Sequence, residues 1–384
     1  MTAPDRPGPP VVAVYRSLLL AASETFIRTD ALAFRRYAPL FVGEGRVAGG
    51  GLALPEADVV VGIRGGRYRH AVLQHVPGYL LGRLERACRA RGVALVHGHF
   101  GTDSLRALDL AERLGVPFVV SYHGFDAALS DAAMRAGRGE RYLQRRAELF
   151  DKAAAITAVS AFTASEVLRQ GAPEAKLHVH HVGAPLGPPR PDPPREPVVL
   201  FVGRHVEKKG LGDLIEAMAR VRASVPAARL LVVGDGPLRG EIEERARRLD
   251  LDARFAGWLE PREVAQQLRE ARVLCVPSRR AANGDAEGLP TVIPEAGGQG
   301  LPVVGTRHAG IAEGIGNDAG GLLAHEGDVE GLAQALTTLL TDDALWRRLS
   351  DGARENVARN FDPQRQAEEL EGIYDEVLGR ATSR

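Results

Sequence analysis

Apolar residues along this chain fall into short unbroken runs, separated by stretches in which they recur at helical spacing. Val11–Tyr15 (VVAVY) opens the pattern, and further runs follow at Pro39–Val42, Asp58–Val61, Ala94–His97, Pro117–Ser121, Ala154–Val159 and Leu177–Val182. Continuous apolar runs of this length suit parallel strands buried on both faces. Between them, Tyr79–Arg91, Asp103–Leu114 and Arg138–Phe150 carry helix-like patterns. Strand and helix in alternation predict a doubly wound α/β sheet.

The alternation breaks at Gly183–Pro197, GAPLGPPRPDPPREP. So many prolines can continue neither a helix nor a central strand, and they read as a semi-rigid linker. The pattern then restarts, with strands expected at Val198–Val202, Leu230–Val233, Val273–Val276 and Pro302–Val304. Helices are expected between them, at Gly212–Arg222 and Leu238–Leu249. The expected layout is a polar, Pro-rich disordered tail over 1–10, a domain over 11–185, a linker over 186–197 and a second domain over 198–362. Glu330–Leu378 reads as mostly helical. Two such domains leave a cleft where strand carboxyl ends face each other, the usual ligand position in open α/β sheets.

At 384 residues the chain fits two ordinary domains rather than one core. Its 49 Lys and Arg balance 49 Asp and Glu, which argues against a general nucleic-acid binder. The two cysteines, Cys88 and Cys275, share no metal-like spacing and imply neither a disulfide framework nor a zinc site. No apolar run has the length of a membrane span, and the start lacks the order of a signal peptide. A reduced cytoplasmic setting is expected.

The densest chemistry lies in Glu287-Gly-Leu-Pro-Thr-Val-Ile-Pro-Glu295, followed by the apolar run Leu301–Val304. A Gly-rich loop feeding a helix start offers backbone N–H groups to an anion. Carboxylates in the same place would repel that anion unless they hold neutral hydroxyls. A ligand that is part phosphate and part polyol, a nucleotide sugar, satisfies both. Upstream, Phe201-Val-Gly203-Arg204-His-Val-Glu-Lys-Lys209-Gly210 places cations at a strand end. Arg supplies a planar fork for phosphate oxygens and Lys a movable point charge. Lys208 is an alternative to Lys209.

These elements, in this order, resemble the E-x7-E, G-R-x(n)-K-G and V-V-G-D-G-P motifs of retaining glycosyltransferases of family 4. That family has the two-domain GT-B fold: two Rossmann-like domains facing a central cleft. The resemblance implies donor-diphosphate contacts for Arg204 and Lys209, and a nucleotide-side lining by Gly234. It implies base contacts near Leu259, in Ala256-Gly-Trp258-Leu259. It assigns sugar hydroxyls to Glu287, the ribose diol to Glu295, and backbone contacts to Gly288, Leu289 and Pro290, with Thr291 beside them. In the first domain Ser121-Tyr-His123-Gly124-Phe-Asp126 resembles the family's H-G motif, whose His faces the donor sugar. The implied catalytic set is His123, Glu287, Arg204 and Lys209. The last helix, within 363–384, is expected to cross back to the first domain.

Several residues stay open between two readings. His99, in Gly98-His99-Phe-Gly101, faces the cleft or is a satisfied core histidine. Asp126 is an acceptor-side candidate. Ser23-Glu24-Thr25 stands where many relatives carry a Gly-Gly loop, and it resembles an exopolysaccharide branch of the family. Ser23 and Thr25 offer hydroxyls and Glu24 a carboxylate to an acceptor, while Ser23 serves equally well as a helix cap. His178, His180 and His181 alternate along a strand and read as structural. Asp250-Leu-Asp252 reads as a solvated turn, so no metal or other cofactor is expected. The partners expected are a nucleotide-sugar donor and a saccharide or lipid-linked acceptor; a small soluble natural product as acceptor, and an epimerase or a non-catalytic nucleotide-sugar binder of the same fold, are the alternatives. The arginines of residues 83–91 and 135–146 suit either an anionic membrane surface or solvated helices.

Overall fold

The structure is a computed structural model that describes residues 8–21, 23–47, 51–61, 77–137, 139–190, 192–194 and 196–380. Residues 1–7 of the expected tail, Arg138, linker residues 191 and 195, and residues 381–384 of the returning segment lie outside the described residues.

Seven strands form a parallel sheet in the first half. They are β1 (Val11–Tyr15), β2 (Ala38–Gly43), β3 (Val59–Val61), β4 (Val93–His99), β5 (Phe118–Tyr122), β6 (Ala155–Ala158) and β7 (Leu177–Val179), in spatial order β3-β2-β1-β4-β5-β6-β7. Six strands repeat that plan in the second half. They are β8 (Val198–Val202), β9 (Arg229–Val233), β10 (Ala253–Gly257), β11 (Val273–Val276), β12 (Val303–Thr306) and β13 (Gly321–Ala324), in order β10-β9-β8-β11-β12-β13. Each order reverses beside its first strand, so each sheet opens a crevice at its strand carboxyl ends.

Side-chain alternation explains how each sheet is covered. Leu95, Val119 and Ala155 point to one face, against Phe26 and Ile27 of the helix Thr25–Leu32 and Leu370, Ile373 and Tyr374 of the helix Pro363–Val377. Val96, Val120 and Ile156 point the other way, against Leu105 and Leu108 of the helix Leu105–Leu114.

The C-terminal helix therefore belongs by packing to the N-terminal domain. Pro363 starts it and Asp362 caps it, its side chain accepting from Arg365 N at 2.9 Å. Glu371 accepts the backbone N–H groups of Arg35, Arg36 and Tyr37 at 2.8, 2.6 and 3.2 Å, and the Tyr37 hydroxyl donates to Asp375 at 2.7 Å. Burying Leu370, Ile373 and Tyr374 contributes roughly 1.5–3 kcal/mol each, more than the exposed Arg35–Glu368 pair.

One expectation needs correcting, and other features add to the picture. The run Leu177–Val182 is a strand only to Val179; His180 N still donates to Ala158 O at 2.9 Å, and His181 lies beyond the sheet. His180 Nε2 then meets the Gln366 carbonyl at 2.9 Å, so the expected alternation of three histidines on one strand is absent. The Pro-rich segment is docked: Ala184 N donates to Phe361 O at 2.7 Å, Gly187 N to Gly298 O at 2.9 Å, and Arg190 to the Leu268 and Ala271 carbonyls. Strand β13 and a small parallel pair, Leu18–Leu19 with Gly45–Arg46, were too short to stand out from their surroundings. Among the described residues no helix is long and apolar enough to cross a membrane.

Candidate active site

Loops at strand carboxyl ends of both sheets meet where the domains face each other. The loop after β8 carries Arg204, Lys208 and Lys209, and the segment after β11 carries Ser278 and Glu287. Lys209 Nζ lies 2.8 Å from Glu287 Oε1, and Ser278 Oγ donates to the same oxygen at 3.1 Å. Glu287 is 6 % exposed. Burial raises its pKa, but the Lys209 and Lys208 charges, with hydrogen bonds from Lys209 and Ser278, outweigh burial and hold the carboxyl below its ordinary range. Lys208 instead pairs with Asp285 at 2.9 Å and reaches the Ala286 carbonyl at 3.2 Å. Of the two lysines, only Lys209 is paired with the buried Glu287. Arg204 is exposed, and its guanidinium has no partner among the described residues.

Glu295 lies on the helix Val292–Gly298, which follows Thr291 directly. Its surface is partly open, yet the surrounding atoms crowd it. Burial pushes its carboxyl up to about 7, against the pull of the Thr291 hydroxyl. Gly234 has φ +119, and a Cβ there would lie 2.0 Å from the Gly203 carbonyl oxygen. Only glycine lets the ends of β8 and β9 come that close. Leu259 is half-buried against the core cluster that includes Val233 and Leu274.

The two domains touch at Gly288. A Cβ on Gly288 would lie 2.2 Å from the His123 carbonyl oxygen, and one on Gly124 (φ +134) 2.4 Å from Gly288 N. Ser160 Oγ and Gly310 N both donate to the Gly288 carbonyl, at 3.1 and 3.0 Å. Leu289 then pins the loop by burying its side chain in the N-terminal core, at 5 % exposure, and Pro290 is buried beside it. Glu287 is thereby carried to the His123 loop.

On the N-terminal side His123 is held between the rings of Phe26 and Phe100, with centroids at 4.9 and 4.5 Å. Its Nε2 meets His99 Nδ1 at 3.1 Å. Burial, followed by the positive charge of Arg16, keeps the His123 ring well below the ordinary histidine range, so it is neutral. Arg16 lies 4.4 Å over the Phe100 ring and pairs with Asp103 at 2.5 Å and Glu24 at 2.6 Å.

Two acceptor-side expectations change in role. Asp126 is 0 % exposed, and its oxygens accept N–H groups of Gly101, His123 and Gly124 at 2.9–3.0 Å. A sealed carboxylate cannot touch an acceptor; it shapes the loop that presents His123. Glu24 is 7 % exposed and taken up by Arg16 and by Ala21 N, at 3.1 Å, so it holds a loop instead. Glu24, not Ser23, occupies the cap position of the helix Thr25–Leu32, without a side-chain capping bond. Ser23 is exposed, and Thr25 is half-buried next to Phe26. His99 is 7 % exposed and sits behind His123.

The sequence reading missed Ser278, Arg16 and His308. Glu287 N donates toward His308 Nε2 at 3.5 Å, while His308 Nδ1 meets Glu326 Oε1 at 2.7 Å. The Glu326 contact leaves Nε2 free to accept. A cavity of about 280 Å³ beside the loop is lined by Ser17, Thr102, Asp103, Arg106, Phe125 and Arg141, among others. All three follow strand ends, Arg16 directly and Ser278 and His308 by two residues, and that position is the sequence signal that could have drawn attention.

Comparison with known proteins agrees with this layout. Residues 196–342 match the family described as Glycosyl transferases group 1, and residues 30–187 match Glycosyltransferase Family 4. WcaL of Escherichia coli (strain K12), named for glycosyl transfer in colanic acid biosynthesis, is 30% identical over 278 residues. The match covers 69% of this chain and 66% of that protein, so it spans about two thirds of the relative's length. Sucrose-phosphate synthase from Thermosynechococcus elongatus superposes with a TM-score of 0.77 at 19% identity, over 97% of this chain and 99% of that one. Anabaena Alr3699/HepE, solved with UDP and glucose, superposes with a TM-score of 0.73 at 17% identity, over 95% and 99%. The two family matches take in both halves of the cleft, and the chain belongs to the family 4, group 1 glycosyltransferases of GT-B fold.

Proposed function

We propose that this protein is a retaining glycosyltransferase. It moves a hexosyl group from a nucleotide-diphosphate sugar to a hydroxyl of a saccharide or lipid-linked saccharide, without a metal ion. The observation that carries the reading is the buried Lys209–Glu287 pair, pressed against the His123 loop through Gly288. An ionised carboxylate accepts from sugar hydroxyls, and the lysine and Arg204 stand ready for the diphosphate.

In the reaction the bond from the anomeric carbon to the diphosphate oxygen breaks. Arg204 and Lys209 stabilise the charge that develops on the leaving group, the interaction worth most to the rate. The acceptor oxygen bonds to the anomeric carbon on the face the diphosphate leaves, and its proton passes to a phosphate oxygen. Glu287 is committed to Lys209 and Ser278, which suits orienting a sugar better than attacking it. Glu295, high at about 7, binds the ribose diol as it ionises.

A uridine diphosphate donor is favoured over a guanosine one, a choice supported by the UDP and glucose held by the Anabaena protein. The colanic acid role named for the bacterial relative supports a growing polysaccharide as acceptor. The cavity beside Phe125 is lined by residues of the N-terminal domain alone, which supports it as the place for the acceptor. Its mixture of an exposed aromatic ring with hydroxyl and charged groups suits a sugar. The protein then works in the cytoplasm, and a lipid-linked acceptor would bring it to the inner membrane face.

A thermal-shift panel of UDP, GDP, ADP, CDP and dTDP, with wild type and Glu295→Ala, tests the donor. A nucleotide at a hundred times its dissociation constant stabilises by about 2.7 kcal/mol. One nucleotide should stabilise the wild type and lose its effect in the variant. No shift with any of them, or a transfer product of inverted anomeric configuration, would sink the reading.

A further inference from the structure

Along β4 and β5, the sheet face covered by the C-terminal helix changes from apolar to polar towards the cleft. On β4 the side chains on this face run Leu95, His97, His99; on β5 and just beyond they run Val119, Ser121, His123. The parallel register pairs His97 with Val119 and His99 with Ser121, so the imidazoles and the hydroxyl share one surface. An all-apolar column would pack the C-terminal helix without polar groups to satisfy. Here the polar groups are satisfied in sequence. His97 Nδ1 meets the Tyr374 hydroxyl at 2.6 Å, and its Nε2 meets Ser121 Oγ at 2.7 Å. His99 stacks on His97, with centroids 4.4 Å apart and 28° between planes, and on His123 at 5.3 Å and 21°. His99 Nδ1 then bonds His123 Nε2 at 3.1 Å.

Tyr374 is the far end of this column, 277 positions from His97, on the helix that returns from the second domain. It is fully buried, with its ring edge-on to Phe34 and Tyr37. The other end is His123, whose Nδ1 is buried without a partner among the described residues. Burial keeps all three rings neutral, His97 at about 3 and the others well below the ordinary range. A neutral imidazole has one donor and one acceptor, so a bond to one nitrogen sets the state of the other.

We propose that His97 and His99 are positioning residues for His123, and that through them docking of the C-terminal helix at Tyr374 sets the ring at the reaction centre. His99 acts on His123 through its bond at Nδ1, and His97 holds His99 in place by stacking while anchored to Tyr374 and Ser121. The proposal rests on the reading that His123 faces the donor sugar.

The test uses the full chain and two isosteric choices at His99. His99→Asn keeps a polar atom near the Nδ1 position, whereas His99→Phe keeps the stacked ring and loses the bond. Hydrolysis of UDP-glucose, UDP-galactose and GDP-mannose is followed for each. In His99→Phe kcat should fall about ten- to hundredfold with donor KM within about twofold, as for a reacting group slightly misplaced. His99→Asn should recover most of that loss. Phe matching wild type, or outperforming Asn, would overturn the proposal, since simple ring packing would then suffice. Tyr374→Phe removes one oxygen and guards against misfolding of the His99 variants; kcat should fall severalfold at unchanged KM.

Nitrogen-15 histidine spectra read the same coupling without turnover. Each of the three rings should show one neutral tautomer in the wild type, and Tyr374→Phe should shift the ring nitrogens of both His97 and His123. A shift confined to His97 counts against the coupling. If wild type hydrolyses none of the three donors, the proposed choice of donor fails by itself, while these spectra still decide whether the column positions His123.

Discussion

The two banks of the cleft meet at Gly288 and are built on opposite electrostatic plans. On the C-terminal bank charge is concentrated. Lys209 and Glu287 pair in a nearly sealed position, Lys208 pairs with Asp285 beside them, and Arg204 stands in the open. On the N-terminal bank the reacting surface is neutral. His123 is desolvated between two phenylalanines and bonded to another neutral histidine, and the nearest cation, Arg16, is balanced by Glu24 and Asp103. The difference teaches which bank does which work. Strong fixed charge suits a departing diphosphate, whose negative charge grows during the reaction. A neutral apolar-lined surface suits the sugar ring, where a fixed charge would compete with the leaving group for it. The junction holds the two together, because Gly288, next to Glu287, lies against the His123 loop.

The sharpest way to break this comparison is Lys209→Ala. It removes a cation from the leaving group and strands a buried carboxylate. Donor turnover should fall about 10²–10³-fold, and stability in urea by about 3 kcal/mol. Turnover within tenfold of wild type would mean that charge is not what the C-terminal bank supplies.

Gly288→Ala attacks the junction instead of either bank. Its new methyl would meet the His123 carbonyl at 2.2 Å, so the domains must part. Transfer should drop roughly a hundredfold, while the nucleotide dissociation constant, measured by calorimetry, should stay within about threefold. Unchanged transfer kinetics would show that reaction does not need this contact.

A third, smaller effect follows from Glu295. Its folded pKa of about 7 stands above the ordinary value of 4.5. Between those values the folded state holds a proton that the unfolded state has lost. The stabilisation from this proton is complete below the ordinary value and disappears as pH rises through about 7. Glu295→Gln should therefore be more stable than wild type at pH 8, by about 1–3 kcal/mol. Nucleotide affinity of the wild type should rise from pH 6 to pH 8, as the diol-binding carboxylate ionises, and the variant should lose that rise. A flat wild-type profile would remove Glu295 from the ribose.

The smallest effect is expected at the rim. Arg280 reaches Glu166 across the domains at 3.2 Å but is 43% exposed. Arg280→Ala should change stability and donor turnover little, within about 1 kcal/mol. A larger loss of turnover at unchanged stability would move part of the closure from Gly288 to this loop.

The sequence alone determined the two α/β domains, because apolar runs that must be buried on both faces leave no other arrangement for their helices. It also determined the C-terminal bank. Arg204, Lys209 and Glu287 are local motifs at strand ends, and their chemistry is readable from residue type and order. The N-terminal bank was decided by tertiary structure. Residue type does not separate Glu24 and Asp126 from carboxylates free to meet an acceptor: Glu24 is sealed by Ala21 N and Arg16, and Asp126 by the N–H groups of its own turn together with Gly101 N from the neighbouring strand end. The Gly210 that follows favours Lys209 over Lys208 in the sequence, and the packed chain gives Asp285 to Lys208 and Glu287 to Lys209. The histidine column had half its logic in view, as His-x-His on one strand and Ser-x-His after the next. Its anchor, Tyr374, comes from a helix hundreds of residues away that folds back onto the first domain. Spacing tells which side chains share a face, but a buried polar group takes its role from the partner that satisfies it, and only the packed chain chooses that partner.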